Sequence, residues 1–306
     1  MLQQDLDKTS PLVSIITLNY NQLDTTCQFL LSTKNLTYKN YEILVCDMNS
    51  DENPFYKLSS LQVPNTRILL SKDNLGFAGG NNWGMRQAKG EYMFIVNNDT
   101  EVTPNLIESL LQPFFLDRSI GVTCPKIKYY FNPTIIQYAG FNRMNMFTGR
   151  TTSIGDKEKD LGQYNQSRPT FGAHGCAMMV SKDVILKTGM FPELFFLYYE
   201  EWDWSTRILK AGFKIYYQAD AEILHKESMS VGKNSPLKTY YLTRNRILYI
   251  RRNSNKFQLI TFYLFYYLLA IPKALAMFIL KKEGIHLKMF VKGIIWNWKN
   301  LSYSKV

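Results

Sequence analysis

No Cys-x-x-Cys pair and no metal-finger spacing occur among the four cysteines, at positions 27, 46, 124 and 176. That excludes a disulfide framework or a structural zinc site and predicts reduced, buried thiols in a cytosolic protein. The opening MLQQDLDKTS lacks the basic start and apolar run of a secretory signal. Neither GxGxxG nor GxxxxGK[ST] appears, which argues against the usual dinucleotide-binding and NTP-hydrolysing loops. Acids are scarce at one end: residues 226–306 hold 15 Lys+Arg and 2 Asp+Glu, whereas residues 1–225 hold 21 and 23. A near-neutral body therefore carries a strongly basic tail, which calls for an anionic partner, either a membrane surface or nucleic acid. Hydrophobic content of 46% over 306 residues is ample for one large α/β domain with an appendage.

The body alternates between strand and helix patterns. PLVSIITL (11–18) predicts a strand, and the segment after it has helical spacing at Leu23, Cys27, Leu30 and Leu31. YEILVCD (41–47), TRILLS (66–71) and EYMFIVNND (91–99) predict further strands, and NNWGMRQAKG predicts a short helix stopped by Gly90. Such alternation implies parallel strands with ligands beyond their carboxyl ends. Asn19, Asp47, Asn74 and Asp99 lie at or just past those ends and are expected to converge on one edge.

Two stretches there carry chemistry. The turn NLGFAGGNN (74–82) brings glycines before a helix, which either admits a ligand close to the backbone or serves a turn needing positive φ. Asn97 and Asp99 offer hard oxygen ligands for Mg²⁺ or Mn²⁺ bridging a diphosphate; the alternative is an Asx-type turn.

The second half supplies carboxylates. LFFLYYEEWDWSTRILKAGF (194–213) predicts a helix with Glu200, Glu201 and Asp203 at its start and Gly212 past its end. Asp203 and Arg207 form an i,i+4 pair, worth about 0.3–0.5 kcal/mol if exposed. Glu201 has no basic partner on its own face. Beside Tyr199 and Trp202 its pKa is expected to rise, which suits a general base, although acids also favour helix N-termini for the dipole alone. His225 closes a strand-like segment (213–225), and His174 and His286, without supporting context, are read as structural.

VSIITLNYN, YEILVCDMNS, NLGFAGGNNWG, YMFIVNNDTEV, GCAMMVSKDV and GMFPELFFLYYEEWDWSTRILKAG occur in an order that resembles glycosyltransferase family 2, most closely its bacterial rhamnosyltransferases of polysaccharide synthesis. The resemblance runs from about residue 12 to 252 and implies a GT-A fold, a Rossmann-like mixed sheet flanked by helices. It implies inverting transfer of a sugar, rhamnose foremost, from a dTDP- or UDP-sugar to a glycan or polyprenyl-linked acceptor. By the same resemblance Asn97 and Asp99 take the metal-binding D-x-D position, with His225 completing the metal shell. Asn19, Tyr20, Asp47, Asn74, Gly76 and Asn82 fall on the nucleotide side. Gly175 and Trp202 fall on the acceptor side. Glu201 stands where the catalytic carboxylate is expected, with Glu200 and Asp203 as alternative bases. Asn97 departs from the family by replacing the first acid of D-x-D, and Glu201 by replacing the commoner aspartate.

TYYLTRNRILYIRRN (239–253) is basic and aromatic, and FQLITFYLFYYLLAIPKALAMFILKK (257–282) is apolar but interrupted at Pro272-Lys273. Neither half reaches the roughly 20 residues of a spanning helix. The expectation is a catalytic domain over 1–235 and, over 236–306, helices lying in the inner face of the cell membrane with Arg and Lys on anionic headgroups. The alternative is a helical lid packed on the domain. A nucleic-acid-binding protein would leave Asp47, Asp99 and Glu200 to Asp203 without work. A sugar-nucleotide pyrophosphorylase would share the α/β nucleotide domain, but its basic glycine-rich loop to activate an NTP is missing near residue 20 of this chain.

Overall fold

The computed structural model describes residues 10–226 and 235–304. Its ten strands form one sheet: β1 (Val13–Asn19), β2 (Tyr41–Asp47), β3 (Thr66–Leu70), β4 (Tyr92–Val96), β5 (Thr100–Val102), β6 (Ile120–Tyr129), β7 (Asn132–Tyr138), β8 (Arg168–Thr170), β9 (Ala177–Ser181) and β10 (Lys214–His225). The helices are α1 (Leu23–Thr33), α2 (Phe55–Ser60), α3 (Gly76–Gln87), α4 (Leu106–Leu116), α5 (Lys182–Thr188), α6 (Glu200–Lys210), α7 (Pro236–Asn253), α8 (Lys256–Leu280) and α9 (Gly284–Lys299).

The sheet runs β3-β2-β1-β4-β9-β6-β10-β5, with β7 on β6 and β8 on β10. β1 and β2 are buried along nearly their whole length and largely apolar, as central parallel strands require. The predicted parallel arrangement holds for β1 to β4. Beyond β4 the sheet is mixed, since β9 runs antiparallel to both β4 and β6. Register places the polar strand ends together: Asn19 pairs with Asp47, and His225 with Thr100, next to Asp99.

α3 begins five residues earlier than predicted, at Gly76, so the glycine-rich stretch is helix rather than turn. A Cβ at Gly80 would lie 2.7 Å from the Met48 sulfur, and one at Gly84 2.6 Å from Ile16 Cγ2. These glycines let α3 press against β1 and β2. Gly76 alone has positive φ, +69°, and a Cβ there would strike the Phe196 ring at 2.5 Å.

The tail departs from expectation twice. Pro272 does not divide it: α8 is one helix of 25 residues, long and apolar enough by length and composition to cross a membrane. A wider π turn at Tyr266–Ala270 accommodates the proline ring and its missing N–H. The α7 arginines do not face outward to headgroups either. Arg244 donates to the carbonyls of Leu194 and Phe195 at 2.7 and 2.6 Å, and Arg246 Nε to that of Thr148 at 2.7 Å. Arg251 holds the carbonyls of Asn297, Asn300 and Leu301, and Arg252 bonds Asp203. Buried backbone carbonyls need donors, and here the arginines supply them. A second apolar core, including Phe195, Trp202, Ile247, Ile250, Phe262 and Tyr266, joins these helices to the domain.

Candidate functional site

A cavity of about 640 Å³ opens beyond the carboxyl ends of β1 and β4, where the strand order reverses. Tyr20, Asn74, Gly76, Asn97, Asp99, Gly175, Glu200, Glu201 and His225 line it, nine of the residues singled out from sequence.

The other five lie outside it. Asn19 is buried and donates to Asp47 Oδ1 at 2.6 Å, while its own oxygen accepts from Thr26 at 2.7 Å. Asp47 also receives the Ser50 backbone N–H and hydroxyl. Asn82 holds the main chain of Phe191 in both directions, at 2.8 and 3.0 Å, and so fixes the segment leading to the carboxylates. Trp202 faces the second core, its ring centroid 4.8 Å from that of Phe141. Asp203 is fully buried between Arg207 Nε at 3.1 Å and Arg252 Nε at 2.8 Å. An acid neutralised by two guanidinium groups and closed off from the cavity cannot take a substrate proton.

One wall carries Glu200 and Glu201. The chain reaches α6 with Phe196, Tyr198 and Tyr199 in left-handed backbone, φ 64°, 68° and 73°, conformations that cost non-glycine residues roughly 1–3 kcal/mol each. Asn245 on α7 holds this loop open by donating its amide to the carbonyls of Phe195, Leu197 and Tyr198 at 2.9, 2.8 and 2.7 Å. The Phe196 carbonyl in turn accepts from the N–H groups of Phe77 and Ala78 at the start of α3, so the loop couples the glycine-rich turn to the carboxylates. Burial pushes Glu201 up to about 7. Burial, then the neighbouring Glu201 charge, holds Glu200 well above the ordinary carboxyl value. Glu200 Oε2 is buried without a hydrogen-bond partner. Burial thus raises both carboxyls, and brings Glu201 into the range where it exchanges a proton near neutrality.

Asp99 and His225 line the same cavity, with Oδ1 3.2 Å from Nε2. His225 Nδ1 meets Gln137 Oε1 at 2.7 Å, which makes Nδ1 the protonated nitrogen and turns Nε2 towards Asp99. Among the described residues no group of three His, Cys, Asp or Glu side chains could hold a metal. One carboxylate and one imidazole fit an ion that takes its remaining oxygens from Asn97, water and a bound diphosphate.

Of the twelve cavity residues that carried no site assignment from sequence, Gln137, Cys176 and His174 surround the Asp99–His225 pair or its neighbours. Gln137 sits on β7, a strand without a motif. Cys176 lies beside Asn97, whose N–H donates to its carbonyl at 2.8 Å. His174, read as structural, lines the cavity too; burial lowers it to about 3, so it is neutral, and Nδ1 accepts from the Cys176 N–H. The small residues flanking it in GAHGC were the available signal.

A family model described as glycosyl transferase family 2 matches residues 14–189, more than half of the chain. The chain is 27% identical over 186 residues to the low-salt glycan biosynthesis hexosyltransferase Agl10 of Haloferax volcanii, and this covers 58% of each protein. It is 25% identical over 231 residues to the N-acetylglucosaminyl-diphospho-decaprenol L-rhamnosyltransferase of Mycobacterium tuberculosis, covering 68% of this chain and 73% of that one. The fold is that of the mannosyltransferase PcManGT from Pyrobaculum calidifontis in complex with GDP-Man and Mn²⁺. The TM-score is 0.59 at 14% identity, over 96% of this chain and 85% of that one.

Proposed function

The chain belongs to glycosyl transferase family 2, and from that premise we propose that it is a metal-dependent, inverting glycosyltransferase of cell-surface glycan synthesis. The observation that carries this reading is the cavity itself, lined by both a carboxylate raised to about 7 and the Asp99–His225 pair. Displacement at an anomeric carbon needs both, and an inverting reaction needs no second carboxylate as nucleophile.

Glu201 accepts the proton of an acceptor hydroxyl as its oxygen bonds the anomeric carbon. The bond from that carbon to the terminal phosphate oxygen breaks, and the nucleoside diphosphate leaves. Glu200, protonated, adds no second negative charge beside Glu201. Asp99 and His225, with Asn97, would hold Mg²⁺ or Mn²⁺, which neutralises the diphosphate when bound. Tyr20, Asn74 and Gly76 contact the nucleotide, Asp47 shapes its pocket through Asn19 and Ser50, and Gly175 leaves room for the acceptor.

The donor is a dTDP- or UDP-sugar, rhamnose foremost, and the acceptor a polyprenyl-linked glycan. The similarity to the N-acetylglucosaminyl-diphospho-decaprenol L-rhamnosyltransferase of Mycobacterium tuberculosis supports rhamnose and the polyprenyl-linked acceptor. Residues 1–235 form the catalytic unit, and 236–306 bring it to the inner face of the membrane.

Thermal shift with dTDP, UDP and GDP, each with and without Mn²⁺, tests this. One nucleotide should stabilise the protein in the presence of metal, and Asp99→Ala should remove the metal-dependent part. No response to any nucleotide would overturn the reading.

A further inference from the structure

The exposed apolar surface of α8 is one stripe over its first half and broadens over its second, where Leu269, Met277, Ile279 and Leu280 are exposed as well. Phe257, Ile260, Leu264 and Leu268, spaced by 3, 4 and 4 residues, are all more than half exposed. The opposite side of that first half is packed on the protein. Phe262 and Tyr266 are buried in the second core, and the Arg246 guanidinium lies 5.1 Å over the Tyr266 ring.

The second half of α8 is paired with α9, which runs back along it. Trp298 Nε1 donates to the Tyr267 hydroxyl at 2.6 Å, and the Phe278 and Phe290 rings lie 5.6 Å apart. α9 is fastened in turn to α7. A Cβ on Gly293 would be 3.0 Å from the Tyr240 carbonyl, and Asn297 donates to the Arg244 carbonyl at 2.9 Å.

This pairing decides between the two ways a 25-residue apolar helix can meet a bilayer. To cross it, α8 would either draw α9, with Lys288, Lys292 and Lys299, into hydrocarbon or tear Phe262 and Tyr266 out of the core. Lysines at that depth are expensive. Lying in the plane requires neither, because only the exposed apolar surface enters. The charge fits as well: Glu283 is the sole acid in residues 235–304, and Lys273, Lys281, Lys282, Lys288 and Lys292 are exposed. Lys288 and Lys292 flank a shallow apolar groove formed by Leu287, Val291 and Ile295.

We propose that the α8–α9 hairpin is an in-plane membrane foot for bilayers containing anionic phospholipid. The Phe257–Leu268 stripe sits at the acyl boundary, Lys288 and Lys292 hold headgroup phosphates, and α8 does not cross. This deepens the membrane reading above and replaces its original argument, since the proline does not interrupt the helix.

The test adds full-length protein to preformed vesicles of phosphatidylcholine, with or without phosphatidylglycerol. The protein should float with the anionic vesicles. Lys288→Gln with Lys292→Gln should weaken that partitioning by about thirtyfold, the effect of two headgroup contacts, and Ile260→Asp with Leu264→Asp should abolish it. Cysteines introduced at Lys256 and Lys282, the four native ones being buried, should both react with an impermeant thiol reagent outside the vesicles. Protection of the Lys282 position until detergent is added would establish a crossing helix and overturn the proposal. Flotation unchanged in these variants, or salt-dependent RNA binding in place of flotation, would overturn it too. Mn²⁺-dependent nucleotide binding, measured alongside without lipid, keeps failure of the foot distinct from failure of the transferase reading.

Discussion

Arg252 on the tail helix α7 reaches Asp203 on the carboxylate-bearing helix α6, with Nε 2.8 Å from an oxygen that has no solvent exposure. The i,i+4 partner Arg207 holds the other oxygen at 3.1 Å. What reads in sequence as a surface pair worth a few tenths of a kcal/mol is a buried four-residue network across the domain–tail boundary, since Asn253 Nδ2 also donates to Asp203 at 2.9 Å. Arg252→Ala should therefore cost about 3 kcal/mol in urea denaturation, the low end for a broken buried pair because Arg207 remains. Turnover of the folded enzyme should stay within a few-fold of wild type. A much larger loss of turnover with unchanged stability would return Asp203 to the catalytic set.

Glu201 and Glu200 should behave oppositely. Glu201→Gln removes the proton acceptor and should lower turnover by about 10²–10⁴-fold with nucleotide binding intact. Glu200 is already neutral, so Glu200→Gln should cost far less. Because Glu201 titrates near 7 and acts as carboxylate, the rate should rise with pH through about 7. The stability sign is reversed: the folded state binds this proton more tightly than the unfolded chain, so stability falls as pH rises from about 4.5 through 7. Glu201→Gln should lessen that fall and leave the part that Glu200, also held above the ordinary carboxyl value, contributes. Parallel pH profiles of turnover and denaturation midpoint check both halves.

Gln137 fixes the His225 ring through its 2.7 Å contact with Nδ1. Gln137→Leu should leave the fold intact but weaken Mn²⁺ binding in the presence of nucleotide about 10–100-fold, the usual effect of removing a partner that orients a ligand. A Mn²⁺ titration monitored by thermal shift gives the answer. An unchanged midpoint would mean that His225 takes no part in holding the ion.

Gly84 tests the reading of the glycine-rich helix as a packing device. Its missing Cβ leaves room for Ile16 and Cys46, whose atoms would lie 2.6 and 3.0 Å away. Gly84→Ala should destabilise by about 1–3 kcal/mol through overpacking, despite alanine's better helix propensity. Stabilisation would show that α3 can move off the sheet.

The first four strands and α6 were legible because hydrophobic pattern and strand-end polarity are local properties. Strand-end polarity also brought Asn74 and Asp99 to the cavity edge, though not Asn19 and Asp47, which lie outside the cavity. Glu201 and His225 were joined to Asp99 only through the family resemblance. Trp202, Asn82 and Asp203 sit in equally polar or aromatic motifs, yet they face structural partners far along the chain: Trp202 the tail core, Asn82 Phe191, and Asp203 Arg252. Side-chain direction within a motif depends on such partners, and periodicity carries no information about them. The arginines of α7 misled for the same reason. Their count predicts a charged surface, but their acceptors are carbonyls up to about fifty residues away, and nearly a hundred for Arg246.

Asn245 is where the tail reaches the chemistry. Its amide serves three carbonyls of a loop that would otherwise not hold left-handed backbone at Phe196, Tyr198 and Tyr199, and that loop delivers Glu200 and Glu201. Asn245→Ala should lower stability by about 2–3 kcal/mol, roughly one per lost hydrogen bond. If Asn245 positions the carboxylates, turnover of the folded variant should also drop by more than tenfold. The rising limb of its pH profile should move below about 7, because a relaxed loop admits water to Glu201. A role in stability alone would lower the denaturation midpoint and leave the rate and its pH limb in place. The pH profile of the variant, taken well below its melting temperature, separates the two.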